Sequence, residues 1–105
     1  MLIIDSVEKF DQTLKENKDK LIIIDFFATW CGPCKMIAPK LKAMEEEFKS
    51  VLFCTVDVDD ASEVAEKEGI QAMPTFKFYK GGEEVEEIKG ASEPKIREAL
   101  TKYSS

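Results

Sequence analysis

Two cysteines, Cys31 and Cys34, stand three positions apart with Gly32 and Pro33 between them. In a helical turn that spacing brings the Cα atoms to about 5–6 Å, the separation a disulfide requires. Such a pair can open and close with little backbone movement, as a redox cycle needs. Cys31 falls where a helix is predicted to begin, directly after an apolar strand. Unpaired N–H groups and the helix macrodipole favour negative charge there. A thiolate at that point is stabilised, so the thiol becomes a nucleophile near neutral pH. Cys34 lies one turn deeper on an apolar stripe. It is expected to be the buried partner, protonated until needed, with Cys31 as the exposed attacker. Gly32 lets another backbone come close, and Pro33 fixes φ in the first turn.

A zinc site is the main structural alternative, because two cysteines at this spacing form half of many such sites. A closed site needs four ligands. The chain has no histidine and one further cysteine, Cys54, so carboxylates would have to complete the set; no metal is expected. Two inert core cysteines are the plainer alternative, but Gly-Pro at a strand-to-helix junction is poor core filler. Cys54, within a predicted strand, is expected to be an inert core thiol.

Asp25 is the one polar residue in the run Leu21 to Phe27. An isolated buried carboxylate is costly to ionise, so its pKa should rise. A raised pKa suits a proton acceptor working near pH 7. The alternative is a structural aspartate with satisfied hydrogen bonds. The absence of histidine leaves Asp25 as the candidate base.

The elements that must position these residues follow from the apolar pattern. Leu2 to Ile4 reads as a short strand. Asp5 and Ser6 can both cap a helix, which Val7, Phe10 and Leu14 carry through about Lys15. Leu21 to Phe27 is β-branched and almost unbroken, the pattern of a strand buried on both faces. A helix follows from Gly32 to about Lys49, striped by Cys34, Ile37, Leu41, Met44 and Phe48, with Pro39 expected to kink it. Val51 to Asp57 is a strand. Asp60 with Glu63 reads as the cap of a short helix through about Glu68, stopped by Gly69. Thr75 to Tyr79 and Val85 to Lys89 form a hairpin about Gly81-Gly82. Ser92 caps a last helix with Pro94 in its first turn and Ile96, Leu100 and Tyr103 facing inward. The order is β-α-β-α-β-α-β-β-α. Strands separated by helices imply parallel neighbours, and the hairpin adds an antiparallel pair. The predicted fold is α/β, a central mixed five-stranded sheet flanked by four helices.

The 105 residues suggest one domain, 1–105, with room for one core. The formal net charge of -6 argues against nonspecific nucleic-acid binding, which needs a basic face. The acidic runs, Glu83 to Glu87 among them, read as solvated faces. No apolar stretch approaches the roughly 20 residues of a membrane span. The N-terminus lacks a basic segment followed by a long apolar one, so a cytosolic location is expected.

Trp30-Cys31-Gly32-Pro33-Cys34-Lys35 resembles the active-site motif of the thioredoxin family. The likeness extends over the chain through Asp25-Phe26-Phe27-Ala28, Pro39, Met73-Pro74-Thr75, Gly81-Gly82 and Gly90. Met36-Ile37 and Val56 to Asp60 are more similar to eukaryotic cytosolic members than to bacterial ones.

This resemblance implies the thioredoxin fold and protein-disulfide reduction. Cys31 would attack, Cys34 would resolve, and Asp25 would deprotonate Cys34 through water. Gly32 and Pro33 would tune the pair. The Met73–Pro74 bond would be cis and lie beside the cysteines. Trp30, Gly32, Pro33, Ala72, Met73, Pro74, Gly90 and Ala91 would form an apolar docking face on which an extended substrate pairs with the residue 73 backbone. Thr55 stands where bacterial members often carry a lysine near the aspartate, so this position supplies Asp25 no charged partner, and the sequence leaves open whether another does. Ala72 stands where some animal members carry an extra surface cysteine, so dimerisation through that position is closed and a monomer is expected. The implied electron donor is an NADPH-dependent thioredoxin reductase. The implied targets are disulfide-containing proteins such as peroxiredoxins, methionine sulfoxide reductase and ribonucleotide reductase. No nucleotide-binding fingerprint appears, so no bound cofactor is expected. Two rival readings remain: an oxidant or isomerase domain of the same fold, and a redox-gated binding module that docks a regulatory partner.

Overall fold

The computed structural model describes residues 1–104. Its elements are β1 (Leu2–Ile3), α1 (Val7–Glu16), β2 (Ile22–Phe27), α2 (Gly32–Glu47), β3 (Leu52–Asp57), α3 (Ser62–Lys67), β4 (Thr75–Lys80), β5 (Glu83–Lys89) and α4 (Glu93–Tyr103). The five strands form one sheet in the order β1-β3-β2-β4-β5. This is the thioredoxin fold.

β2 occupies the middle because its side chains are apolar on both faces and can be covered on both. Leu21 and Ile23 point to one side, where Phe53, Phe76 and Phe78 meet Ile37, Leu41 and Met44 of α2 and Ile96, Ala99 and Leu100 of α4. Ile22, Ile24 and Phe26 point to the other, against Phe10 and Leu14 of α1 and Val64 of α3. The alternation of side chains along a strand therefore puts Asp25 on the α2 side. Its cross-strand neighbours are Thr55 on β3 and Phe76 on β4.

The strand directions differ from the simple expectation. β1, β3 and β2 are parallel, as helix-separated strands should be. β4 follows a helix too, yet it lies antiparallel to β2. The helix rule concerns a crossover that returns to the same end of the sheet. The segment after α3 starts β4 from the dithiol end, and β4 then leads through the Gly81-Gly82 turn into β5. Both glycines have positive φ, 65° and 84°, the turn geometry that matches the twist of a two-stranded hairpin.

Local capping also corrects one expectation. Asp60 does not cap α3. The cap position is Ala61, which has no side-chain hydrogen bond. Asp57 at the end of β3 takes over the turn: its Oδ1 accepts the Asp59 N–H at 3.0 Å, and its carbonyl accepts the Ala61 N–H at 2.8 Å. Between the two candidates at α1, Ser6 is the cap, its Oγ accepting the Lys9 N–H at 3.1 Å. Ser92 caps α4 in the same way. α2 carries through Pro39 to Glu47.

One of the acidic runs is more than a solvated face. Lys77 on β4 is buried, and its Nζ reaches Glu84 at 2.9 Å and Glu87 at 3.5 Å. Burial alone would lower the ammonium pKa. The Glu84 hydrogen bond and the surrounding glutamate charges outweigh it, and the net shift is upward.

α2 is held on the sheet by a short row of side chains, and Ile37 is the one nearest the dithiol turn. It is 1% exposed. Ile37→Ala is expected to lower the unfolding free energy by about 2–5 kcal/mol, measured by urea titration. A loss below about 1 kcal/mol would mean that α2 is not anchored there.

Candidate active site

Cys31 is the N-cap residue of α2, and Pro33 sits in the first turn. Cys31 and Cys34 are joined as a disulfide with their Cα atoms 5.3 Å apart. The Cys31 Sγ accepts the Cys34 backbone N–H at 3.2 Å. An amide donor and a helix N-terminus thus converge on the sulfur of Cys31. Both favour a thiolate when the pair is reduced.

The expected contrast in exposure is absent from this oxidised form. Cys31 and Cys34 are each 4% exposed. The two sulfurs are bonded, and the pair packs with Ala28 among Phe27, Val58 and Met73. What separates the two cysteines is their surroundings. Cys31 has the helix cap, whereas Cys34 shares a pocket with Asp25. Gly32 and Pro33 are exposed above them.

Asp25 is 7% exposed, and its Oδ1 has no hydrogen-bond partner among the described residues. Burial pushes its pKa up to about 7. No opposing charge counters that shift, in keeping with the uncharged Thr55 beside it. The carboxyl group is therefore balanced between its two protonation states near neutral pH, within the same pocket as Cys34.

The residues around the pair fall into two sets. Met73 packs against the dithiol, and the Met73–Pro74 bond is cis. Pro74 is buried, and its carbonyl accepts the Gly90 N–H at 2.9 Å, which ties the two loops together. Ala72 is exposed, with its carbonyl accepting from Thr75 Oγ1 at 2.7 Å. Ala91 is half-buried and packs against the α2–α4 core, so it offers less surface than the sequence suggests. Trp30 is 66% exposed. Its indole Nε1–H donates to Asp59 Oδ2 at 3.0 Å. Asp59 was not singled out in the sequence, where it sits in an acidic run. The available signal was an exposed indole donor needing an acceptor, but only the fold shows which one.

Cys54 is 1% exposed, and burial pushes its thiol up to about 12. It belongs to the core on the α1–α3 side, away from the dithiol cluster. Among the described residues, no three His, Cys, Asp or Glu side chains are grouped to hold a metal ion.

A dithiol at a helix N-terminus, with a buried carboxyl beside its inner cysteine, defines a dithiol–disulfide exchange protein. The thioredoxin family model matches residues 1–102. The chain is 55% identical over 94 residues to the thioredoxin of Geodia cydonium, covering 89% of each chain. It superposes on Fasciola hepatica thioredoxin with a TM-score of 0.97 at 45% identity, covering 99% of this chain and 100% of that one. It also matches a structure concerned with the thiol-resolving mechanism of a yeast mitochondrial 1-Cys peroxiredoxin via glutathione/thioredoxin systems. There the TM-score is 0.93 at 31% identity, over 97% and 94% of the chains. The chain belongs to the thioredoxin family. It is a thiol–disulfide oxidoreductase that works through Cys31 and Cys34.

Asp25 also sets a pH dependence of stability. The folded protein keeps its proton up to about pH 7, while the unfolded chain releases it near 3.8. Stability therefore falls as pH rises between these values, and the full penalty is present above 7. Asp25→Asn should raise the unfolding free energy at pH 8 by on the order of 4 kcal/mol and leave it nearly unchanged at pH 3. Equal effects at the two pH values in urea titrations would contradict the assignment.

Proposed function

We propose that the protein is a protein-disulfide reductase in which Asp25 is the proton acceptor for Cys34. The Cys31 thiolate attacks one sulfur of a target disulfide, forming a mixed disulfide and releasing the other target sulfur as a thiolate. Asp25 takes the Cys34 proton. Cys34 then attacks the Cys31 sulfur, and the second target sulfur leaves. The target gains two electrons, and the protein ends with its Cys31–Cys34 disulfide.

The observation that carries this reading is the unpaired Asp25 carboxyl lining the same pocket as Cys34. The shared pocket leaves room for a water to relay the proton, and a pKa of about 7 matches the conditions under which a general base is effective. Trp30, Gly32, Pro33, Ala72, Met73, Pro74, Gly90 and Ala91 form the docking face in this reading, with Asp59 holding the Trp30 ring. Gly32 and Pro33 tune the pair through the geometry of the first turn.

The electron donor in this proposal is an NADPH-dependent thioredoxin reductase, and the chain itself binds no cofactor. It acts as a monomer and a single domain, 1–105, of the eukaryotic cytosolic type in the cytoplasm. The targets are oxidised proteins, including peroxiredoxins, methionine sulfoxide reductase and ribonucleotide reductase. The peroxiredoxin is supported by the yeast system of the similar structure.

Two variants divide the mechanism. Cys34→Ser should trap mixed disulfides through Cys31 and lose multiple turnover in NADPH-coupled disulfide reduction with a thioredoxin reductase. A redox-gated binding module would instead bind its partner unchanged and trap nothing. Asp25→Asn should slow release of the mixed disulfide by at least about tenfold and slow the first attack much less, as followed by stopped-flow with a fluorescent disulfide substrate. Equal slowing of the two steps would remove Asp25 from the proton-acceptor role.

A further inference from the structure

Behind the dithiol, on the α2 side of the sheet, lies a pocket of about 340 Å³. Asp25, Cys34 and Leu41 are buried in its floor, and Lys35 and Ala38 on α2 stand exposed at its rim. Phe27 and Ala28 complete an apolar wall. The chamber is distinct from the docking face: its lining includes none of Trp30, Pro33 or Met73. It is large enough for a small molecule, and most of what it offers is apolar contact.

One polar group in the floor lacks a partner. Asp25 is 7% exposed, and its Oδ1 is without a hydrogen bond among the described residues. Buried polar groups are ordinarily paired. The Asp25 χ2 torsion is soft and roughly two-fold, so the carboxyl can present either oxygen to a donor. The fold satisfies its other buried charge, Lys77, with two glutamates. Among the described residues, the buried side-chain atom without a partner is Asp25 Oδ1, and it lines this pocket.

We propose that this pocket is a binding site for a small uncharged molecule with an apolar body and one hydrogen-bond donor, the donor meeting the Asp25 carboxyl. The charge of the ligand follows from the lining. A fixed charge would lose its hydration against Phe27, Ala28 and Leu41. A cation would also pass the Lys35 ammonium at the rim and the Met1 N-terminus, which is paired with Glu45 at 3.2 Å, and an anion would face the Asp25 carboxylate. A neutral N–H or O–H donor avoids all three costs. Its hydrogen bond favours the ionised carboxyl. The occupant covers the approach between Asp25 and Cys34, and on the proposed mechanism, on which this consequence rests, it slows resolution of the mixed disulfide.

Benzamide is a suitable probe, with N,N-dimethylbenzamide as the control that keeps the ring and carbonyl but has no donor. Titration into the oxidised protein, read by amide NMR, should give saturable shifts at Ala28, Cys34, Ala38, Leu41 and Thr55. The expected Kd is on the order of 1–10 mM for a ligand of this size, with the control weaker by about fivefold. Asp25→Ala should abolish that preference without abolishing binding. Ala38→Phe, which fills the rim from an exposed position, should remove binding of both compounds while the rest of the amide spectrum stays folded. Shifts confined to Trp30, Pro33 and Met73, or no saturation at any residue in the folded protein, would overturn the proposal. Binding at the expected residues with no effect on the resolving step would count against Asp25 as proton acceptor and leave the pocket intact.

Discussion

A carboxyl group kept out of water on the central strand is the constraint around which this site is built. Asp25 interrupts a β-branched run, and alternation turns it toward the α2 side, beside Phe76 on β4 and into a pocket walled by Phe27, Ala28 and Leu41. The apolar packing of that face holds the carboxyl where ionisation is costly. The same packing fixes the first turns of α2, and through them the Cys31–Cys34 pair. The acidity of Asp25 and the placement of the dithiol are thus two results of one helix seated on one sheet face.

The two buried charges of the sheet make the point by contrast. Lys77 lies on the α1–α3 side of β4 and keeps its charge through Glu84 and Glu87 on the adjoining strand. Asp25 lies on the opposite face with Thr55 and Phe76 as its cross-strand neighbours, and neither carries charge. A structural charge is paired, so that its ionisation is settled across the physiological range. A group that exchanges protons near pH 7 must be left undecided. That difference supports a chemical use for Asp25 and a packing use for Lys77.

Much of this was legible in the residues themselves. The spacing of Cys31 and Cys34, the apolar run before them and the stripe after them are local patterns, and local patterns survive into the fold. The element order and the rise in the Asp25 pKa follow from the same patterns. What was not legible depends on partners distant in sequence. The antiparallel placement of β4 depends on where the loop after α3 lands. The role of Asp57 in place of Asp60 at the α3 turn depends on where β3 ends. Asp59 became a partner of Trp30 only when the loops at the end of the sheet met. The near-equal burial of Cys31 and Cys34 depends on Ala28, Phe27, Val58 and Met73, which cover the pair from other segments; a helix-position argument does not see those neighbours.

The most direct measurement is a pH titration of the Asp25 carboxyl carbon by NMR in the oxidised protein, where no cysteine of the pair titrates. A single transition centred near pH 7 is expected from a carboxyl that is buried and unpaired. A midpoint near 4, the value of a solvated aspartate, would contradict the central claim that burial on β2 holds this group ready to accept a proton.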